Sequence, residues 1–162
     1  ALRSTCLLLF IMAWVCLSPP ARAAAEAPAA GGEAREMVRL TNAQRSRAGR
    51  APLAASPLLM KAAQLHAEQM VARGQMAHDL PGARYPHTED RLAAVKYRWL
   101  SYAENVAYGQ SDTASALDSW MDSSGHRRNI HDSSMTELGT GVARDRSGRP
   151  YYVQVFARPR SR

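Results

Sequence analysis

The chain has 162 residues, 21 of them lysine or arginine against 14 aspartates and glutamates, a net charge of +7, and two cysteines. That length holds one domain. The basic residues are scattered apart from Arg158, Arg160 and Arg162, without the stripe or module of a nucleic-acid binder, so nucleic acid is excluded as an expected partner and weak attraction to anionic envelope surfaces is the milder reading.

In chain order, Arg3 precedes an apolar run from Leu7 to Leu17, then the helix-breaking Ser18-Pro19-Pro20 and the small-residue site Ala21-Arg22-Ala23. A run of about eleven residues falls short of the roughly 20 that span a bilayer, so the pattern predicts a signal peptide over residues 1–23, cleaved after Ala23. Secretion or release into a periplasm follows, with no transmembrane segment in the mature chain. Cys6 and Cys16 leave with that peptide, so the remaining domain, expected to be a monomer, stands without a disulfide in an oxidising compartment. Ala24 to Gly32 reads as a flexible linker, and residues 33–160 as the folded domain.

Within that domain the apolar spacing of Met37, Leu40 and Ala43 predicts a first helix over Glu33 to Ala48, stopped by Gly49. Ser56-Pro57 and Gly74 bracket a second, with Leu59, Ala62, Ala63, His66, Ala67 and Met70 on one face. Gln75 to Tyr85 reads as loop, Thr88 to Val95 as a short helix capped by Thr88, and Ser101 to Gly109 as extended or loop. Asp112 to Met121 predicts a fourth helix, interrupted by Ser123-Ser124-Gly125 and followed by a short turn through His126 to Ile130. Glu137 to Arg144 and Tyr151 to Ala157 are β-rich and predict a hairpin. Helices first and strands late indicate an α+β or three-layer domain.

The histidines are not equivalent. His66 shares an apolar face and reads as a hydrogen-bonded core residue, while His87 and His131 read as solvated. His78 and His126 each follow a helix in a polar, turn-rich segment, where functional side chains concentrate. Glu104 and Asn105 interrupt an apolar stretch, where an acid is costly unless paired or hydrated. Two imidazoles and a carboxylate could hold a divalent metal such as zinc with a position open for water, or form a proton-transfer pair. The sequence lacks H-E-x-x-H, paired-cysteine and G-x-S-x-G motifs. Gly139-Thr140-Gly141 marks close backbone packing in a strand rather than a phosphate loop.

Eight segments occur in an order that resembles the bacterial branch of the CAP superfamily (SCP/PR-1-like extracellular domains), from about Val38 to Pro159. They are Thr41-Asn42-Ala43-Gln44-Arg45, the helix Leu59 to Met70, Met76-Ala77-His78, Asp90-Arg91-Leu92, Ala103-Glu104-Asn105-Val106-Ala107, Trp120-Met121 with Ser124 to Ile130, Glu137 to Ala143, and Tyr152-Val153-Gln154-Val155-Phe156. The resemblance implies an α-β-α sandwich around a central antiparallel sheet, with a cleft lined by two histidines and two glutamates that holds a divalent metal in some members. His78, Glu104 and His126 match three of those four. The second glutamate falls on Ser123, and Glu137 is the remaining acid that could lean into the cleft.

Two functions follow as expectations. In the first, a secreted module binds an apolar or envelope-derived ligand, a lipid or sterol-like molecule, in a cleft formed by His78, Glu104, His126 and Asn105. In the alternative, a zinc-dependent, peptidase-like hydrolase uses His78, Glu104 and His126 as metal ligands.

Overall fold

The computed structural model describes residues 30–161. The predicted signal peptide, its cleavage site and residues 24–29 of the linker lie outside the described residues. The elements are α1 (Ala30–Arg47), β1 (Ala54–Ala55), α2 (Pro57–Arg73), α3 (Thr88–Ala94), β2 (Trp99–Tyr108), α4 (Thr113–Asp122), α5 (Ser124–His131), β3 (Glu137–Arg144) and β4 (Pro150–Pro159). Asp112 caps α4 by accepting the Ser115 backbone N–H at 2.8 Å, and Pro57 follows the extended Ser56 at the start of α2, as the local sequence requires.

The segment around Glu104, read as extended or loop, is extended, a ten-residue strand. Three features differ from the sequence reading. The first helix begins at Ala30, so Gly31 and Gly32, expected in the linker, are helical. The third helix is capped by His87, whose backbone N–H donates to Asp90, while Thr88 is already inside the helix. The turn through His126 is an eight-residue helix. Its residues are weak helix formers, and tertiary bonds compensate: the buried Arg45 guanidinium donates to the carbonyls of Ile130 and Asp132 at 2.8 and 2.9 Å, matching the negative end of the helix dipole.

The sheet order is β1-β3-β4-β2. β4 pairs antiparallel with both β3 and β2, and the unpredicted two-residue β1 joins β3 in parallel, so the sheet is antiparallel except at that edge. Side chains alternate between two cores. Val106, Tyr151, Val153, Val155 and Ala157 pack with α2 and α3, whereas Ala107, Leu138, Val142, Tyr152 and Phe156 pack with α1, α4 and α5. The result is the α-β-α sandwich. Among the described residues no helix is long and apolar enough to cross a membrane.

Helix α2 lies directly against β3 because Gly139 and Gly141 present no side chain to it. A Cβ at Gly139 would stand 2.0 Å from the Leu59 carbonyl carbon, and one at Gly141 2.4 Å from that of Ala63. Both obstacles are helix backbone and cannot swing away. Gly139→Ala should therefore destabilise the domain by about 3 kcal/mol or more, at the upper end of overpacking costs. Gly125→Ala, with nothing within 4 Å of the added methyl, should stay within about 0.5 kcal/mol. Urea unfolding of the two variants against wild type checks the contrast.

Candidate functional site

β2 is an edge strand, and its consecutive residues Glu104 and Asn105 point to opposite faces of the sheet. Glu104 faces the α2–α3 layer, its side chain 4% exposed. Its Oε2 accepts from Arg91 Nη2 at 2.9 Å and its Oε1 from His78 Nδ1 at 3.0 Å. Arg91 is itself 1% exposed. It also donates to Thr88 Oγ1 and to the carbonyls of His78, Tyr85 and Pro86. One guanidinium thus neutralises Glu104 and ties the loop that carries His78 to α3.

His66, on α2, is fully buried and approaches the same Glu104 oxygen at 3.5 Å. Its Nε2 donates to the Ala77 carbonyl at 2.9 Å, which assigns the proton to Nε2 and leaves Nδ1 a buried atom without a partner. Burial pushes His66 down to about 4 despite the pull of Glu104, so near neutral pH the contact joins a neutral imidazole to a carboxyl group and is not an ion pair. His78 behaves oppositely. Its hydrogen bond to Glu104 raises its pKa, and its side chain is 54% exposed.

Asn105 faces the other layer and is completely buried. It donates to the His126 carbonyl at 3.3 Å and to Gln154 Oε1 at 3.0 Å, and accepts from Asn129 Nδ2 at 2.9 Å. Gln154 in turn donates to Thr41 Oγ1, which donates to the Met37 carbonyl. One run of donors passes from Asn129 on α5 through Asn105 and Gln154 to Thr41 on α1, each bond polarising the next, while Asn105 also donates back to α5 at the His126 carbonyl. α4 and α5 also close the open edge of β2: Asn129 Nδ2 reaches the Glu104 carbonyl at 3.3 Å, and Trp120 Nε1 reaches that of Val106 at 3.0 Å.

These anchors bring His126 round the edge of β2 toward His78. His126 is partly exposed, and its pKa is lowered by burial and then by the nearby His78. Of the two predicted histidines, His78 bonds Glu104, and His126 lies near enough to His78 to feel its charge. Asn105, expected in the cleft, instead forms the framework beneath α5. Ser123 is the extended residue joining α4 to α5. Glu137 is engaged elsewhere, accepting from the Tyr97 hydroxyl at 2.9 Å.

The three-ligand zinc arrangement does not fit this donor set. Both oxygens of Glu104 are already bonded, one of them to a buried cation that opposes a metal. Among the described residues no group of three His, Cys, Asp or Glu side chains is placed to hold an ion.

Sequence reasoning missed Arg91, the buried centre of this network, and the approach of His66 to Glu104. The available signal was Arg91 beside the apolar Leu92 in a short helix, a cation on a face that packs inward.

The fold and this constellation define a CAP-type domain. The model of the CAP family, described as the cysteine-rich secretory protein family, matches residues 38–156, and the chain belongs to that family. It is 31% identical over 107 residues to YkwD of Bacillus subtilis, covering 66% of this chain and 41% of that protein. It is also 31% identical over 122 residues to the Bacillus subtilis membrane protein YlbC, covering 75% and 33%. The crystal structure of an extracellular protein containing a SCP domain from Bacillus anthracis superposes with a TM-score of 0.73 at 32% identity, covering 79% of this chain and 41% of that one. The chain thus spans less than half the length of each of these relatives.

Two predictions follow from the network. Arg91→Ala leaves Glu104 buried without its cation and should cost about 3–5 kcal/mol, with Arg91→Lys restoring only part because it lacks the fork geometry; thermal unfolding checks both. The histidines set a pH optimum of stability. His66, with a folded pKa below its unfolded 6.5, destabilises the fold as pH falls below 6.5, because the unfolded chain takes up the proton first. At about 1.4 kcal/mol per pH unit the loss is on the order of 3 kcal/mol by pH 4. The raised pKa of His78 adds stability that is complete below its unfolded 6.5 and is lost as pH rises through the folded value. Unfolding free energy should peak near pH 6.5. His66→Gln should flatten its acid side between pH 6.5 and 5, leaving the smaller slope from His126 and His131, whose pKa values burial also lowers.

Proposed function

We propose that this domain works outside the cytoplasm as a binding module, capturing an apolar or envelope-derived ligand of lipid or sterol-like chemistry at the cleft between His78 and His126. The observation that carries this reading is the orientation of His78. Glu104 takes the proton of Nδ1, so the neutral imidazole presents Nε2 outward as an acceptor, and its protonated form presents an N–H donor there. The bond to Glu104 raises the pKa of His78 and so favours the donor form. Such a group suits a hydroxyl or a headgroup at the polar end of an amphiphile. Apolar contacts are at hand: Met76, 47% exposed, lies two residues before His78, and the partly buried Tyr102 stands two residues before Glu104 on the same face of β2. Membership in a family of secretory proteins and similarity to an extracellular SCP-domain protein support the location.

Purified protein equilibrated with fluorescent sterol, fatty acid and envelope phospholipid should show saturable binding to at least one of them. His78→Ala should weaken that binding about tenfold, the value of one charge-assisted hydrogen bond, and Arg91→Ala should weaken it to a similar degree by releasing the loop. Absence of saturable binding to all three overturns the reading. So does stoichiometric zinc, lost in the His78→Ala/His126→Ala double variant together with peptide hydrolysis, which would establish the hydrolase instead.

A further inference from the structure

At the far end of β2 from Tyr108, the chain leaving α3 forms a groove of about 550 Å³ lined by Ala93, Lys96, Tyr97, Arg98, Trp99 and Arg160. We propose that this groove and the adjoining Leu100 are a docking surface for an anionic phospholipid bilayer. The surface is separate from the histidine cleft and does not depend on the reading given for it.

Charge is the first argument. The lining carries three cations and no acid, and Arg158, exposed, sits opposite Ser101 in the β2–β4 register. Among the described residues none of Lys96, Arg98, Arg158 and Arg160 forms an ion pair with an acid. Tyr97 of the lining donates its hydroxyl to Glu137 at 2.9 Å. The arginines are set side by side by the backbone, since the Arg160 N–H donates to the Arg98 carbonyl at 3.0 Å.

Apolar geometry is the second. The pairing of β2 with β4 shifts between Trp99 and Ser101, so Leu100 is the extra residue of a β-bulge on an edge strand, a device that re-aims a side chain. Leu100 is 54% exposed. Trp99 beside it is half-buried and braced edge-on by Tyr102, ring centroids 6.0 Å apart at 87°. A tryptophan and an exposed leucine ringed by cations match the boundary between acyl chains and anionic headgroups, and a phosphate-bearing polymer offers nothing to the leucine.

Backbone strain is the third. Lys96 is the one described non-glycine residue in the left-handed region, with φ of 59°, where it ends α3 as glycine ordinarily does. A lysine held there at a conformational cost projects its charge into the groove.

This last feature supplies a variant that removes charge without harming the fold. Protein recovered after export, in the N-terminal form the cell leaves it, is sedimented with phosphatidylglycerol/phosphatidylcholine vesicles and with phosphatidylcholine alone. The neutral vesicles report any contribution from outside the groove. Lys96→Gly should keep or raise the Tm, relieve the strained φ and weaken binding to the anionic vesicles about fivefold, the effect of one cation near such a surface. Arg98→Glu/Arg160→Glu should weaken it at least 25-fold, roughly the product of two such cations, and 0.5 M salt should do likewise in wild type. Leu100→Ser should also reduce binding. Equal sedimentation with anionic and neutral vesicles overturns the proposal, as does anionic binding unchanged in the Lys96 and Arg98/Arg160 variants. Binding insensitive to Leu100→Ser but displaced by a short single-stranded oligonucleotide also overturns it, marking the face as a polyanion site.

Discussion

The closeness of α2 to β3 governs the rest of this structure. Gly139 and Gly141 let the helix backbone lie where side chains would otherwise hold it away, and the packing between these two elements is the most extensive between any helix and strand. That distance lets His66, near the middle of α2, reach within 3.5 Å of Glu104 two strands away. Gly74 then ends α2 in the left-handed conformation, and the Ala77 carbonyl is held by His66. A wider helix–sheet separation would leave Glu104 with Arg91 alone and His78 without a partner.

Glu104 and Asn105 turn that distance into a site. As neighbours in a strand they must face opposite layers, and each gathers the elements on its own side. Glu104 binds α3 through Arg91 and the preceding loop through His78, while Asn105 binds α5 through Asn129 and the His126 carbonyl. The two histidines come from different layers and meet only because β2 is an edge strand that both layers can reach around. The polar residues here are buried in a domain without described cysteines, and most of their bonds cross between elements. Rigidity that small disulfide-bonded domains draw from their cross-links is supplied among the described residues by this hydrogen-bond network and by the two buried arginines, Arg45 and Arg91.

The surface divides into regions of different chemistry. Around His78 the exposed groups are titratable and weakly charged, suited to hydrogen bonding with a small polar end. Around Lys96, Arg98 and Arg160 the charge is fixed and flanked by Trp99 and Leu100. The two proposed roles, an anionic surface met with one face and a single amphiphile with another, would combine long-range attraction with short-range selection and share no residue.

Local signals were legible in the amino-acid order: the Ser56-Pro57 start and Gly74 stop of α2, the Asp112 cap of α4, and the β-rich runs that pair as β3 and β4. The glycine pair of β3 announced close packing without saying against what, and the segment resemblance singled out His78, Glu104 and His126 as the residues to follow. The helicity of α5 was not legible, because its stability comes from Arg45 and Asn105, distant in the chain and invisible to propensity. The parallel β1 was too short to show any period. Nor could composition tell that Asn105 lies on the far side of the sheet from the cleft or that Arg91 rather than a metal would balance Glu104. Periodicity and capping are properties of neighbouring residues, and a sequence determines them directly. Which charge neutralises which depends on register, on the hand of each strand's alternation and on a helix-to-sheet distance set by two missing Cβ atoms, and these exist only in the folded chain.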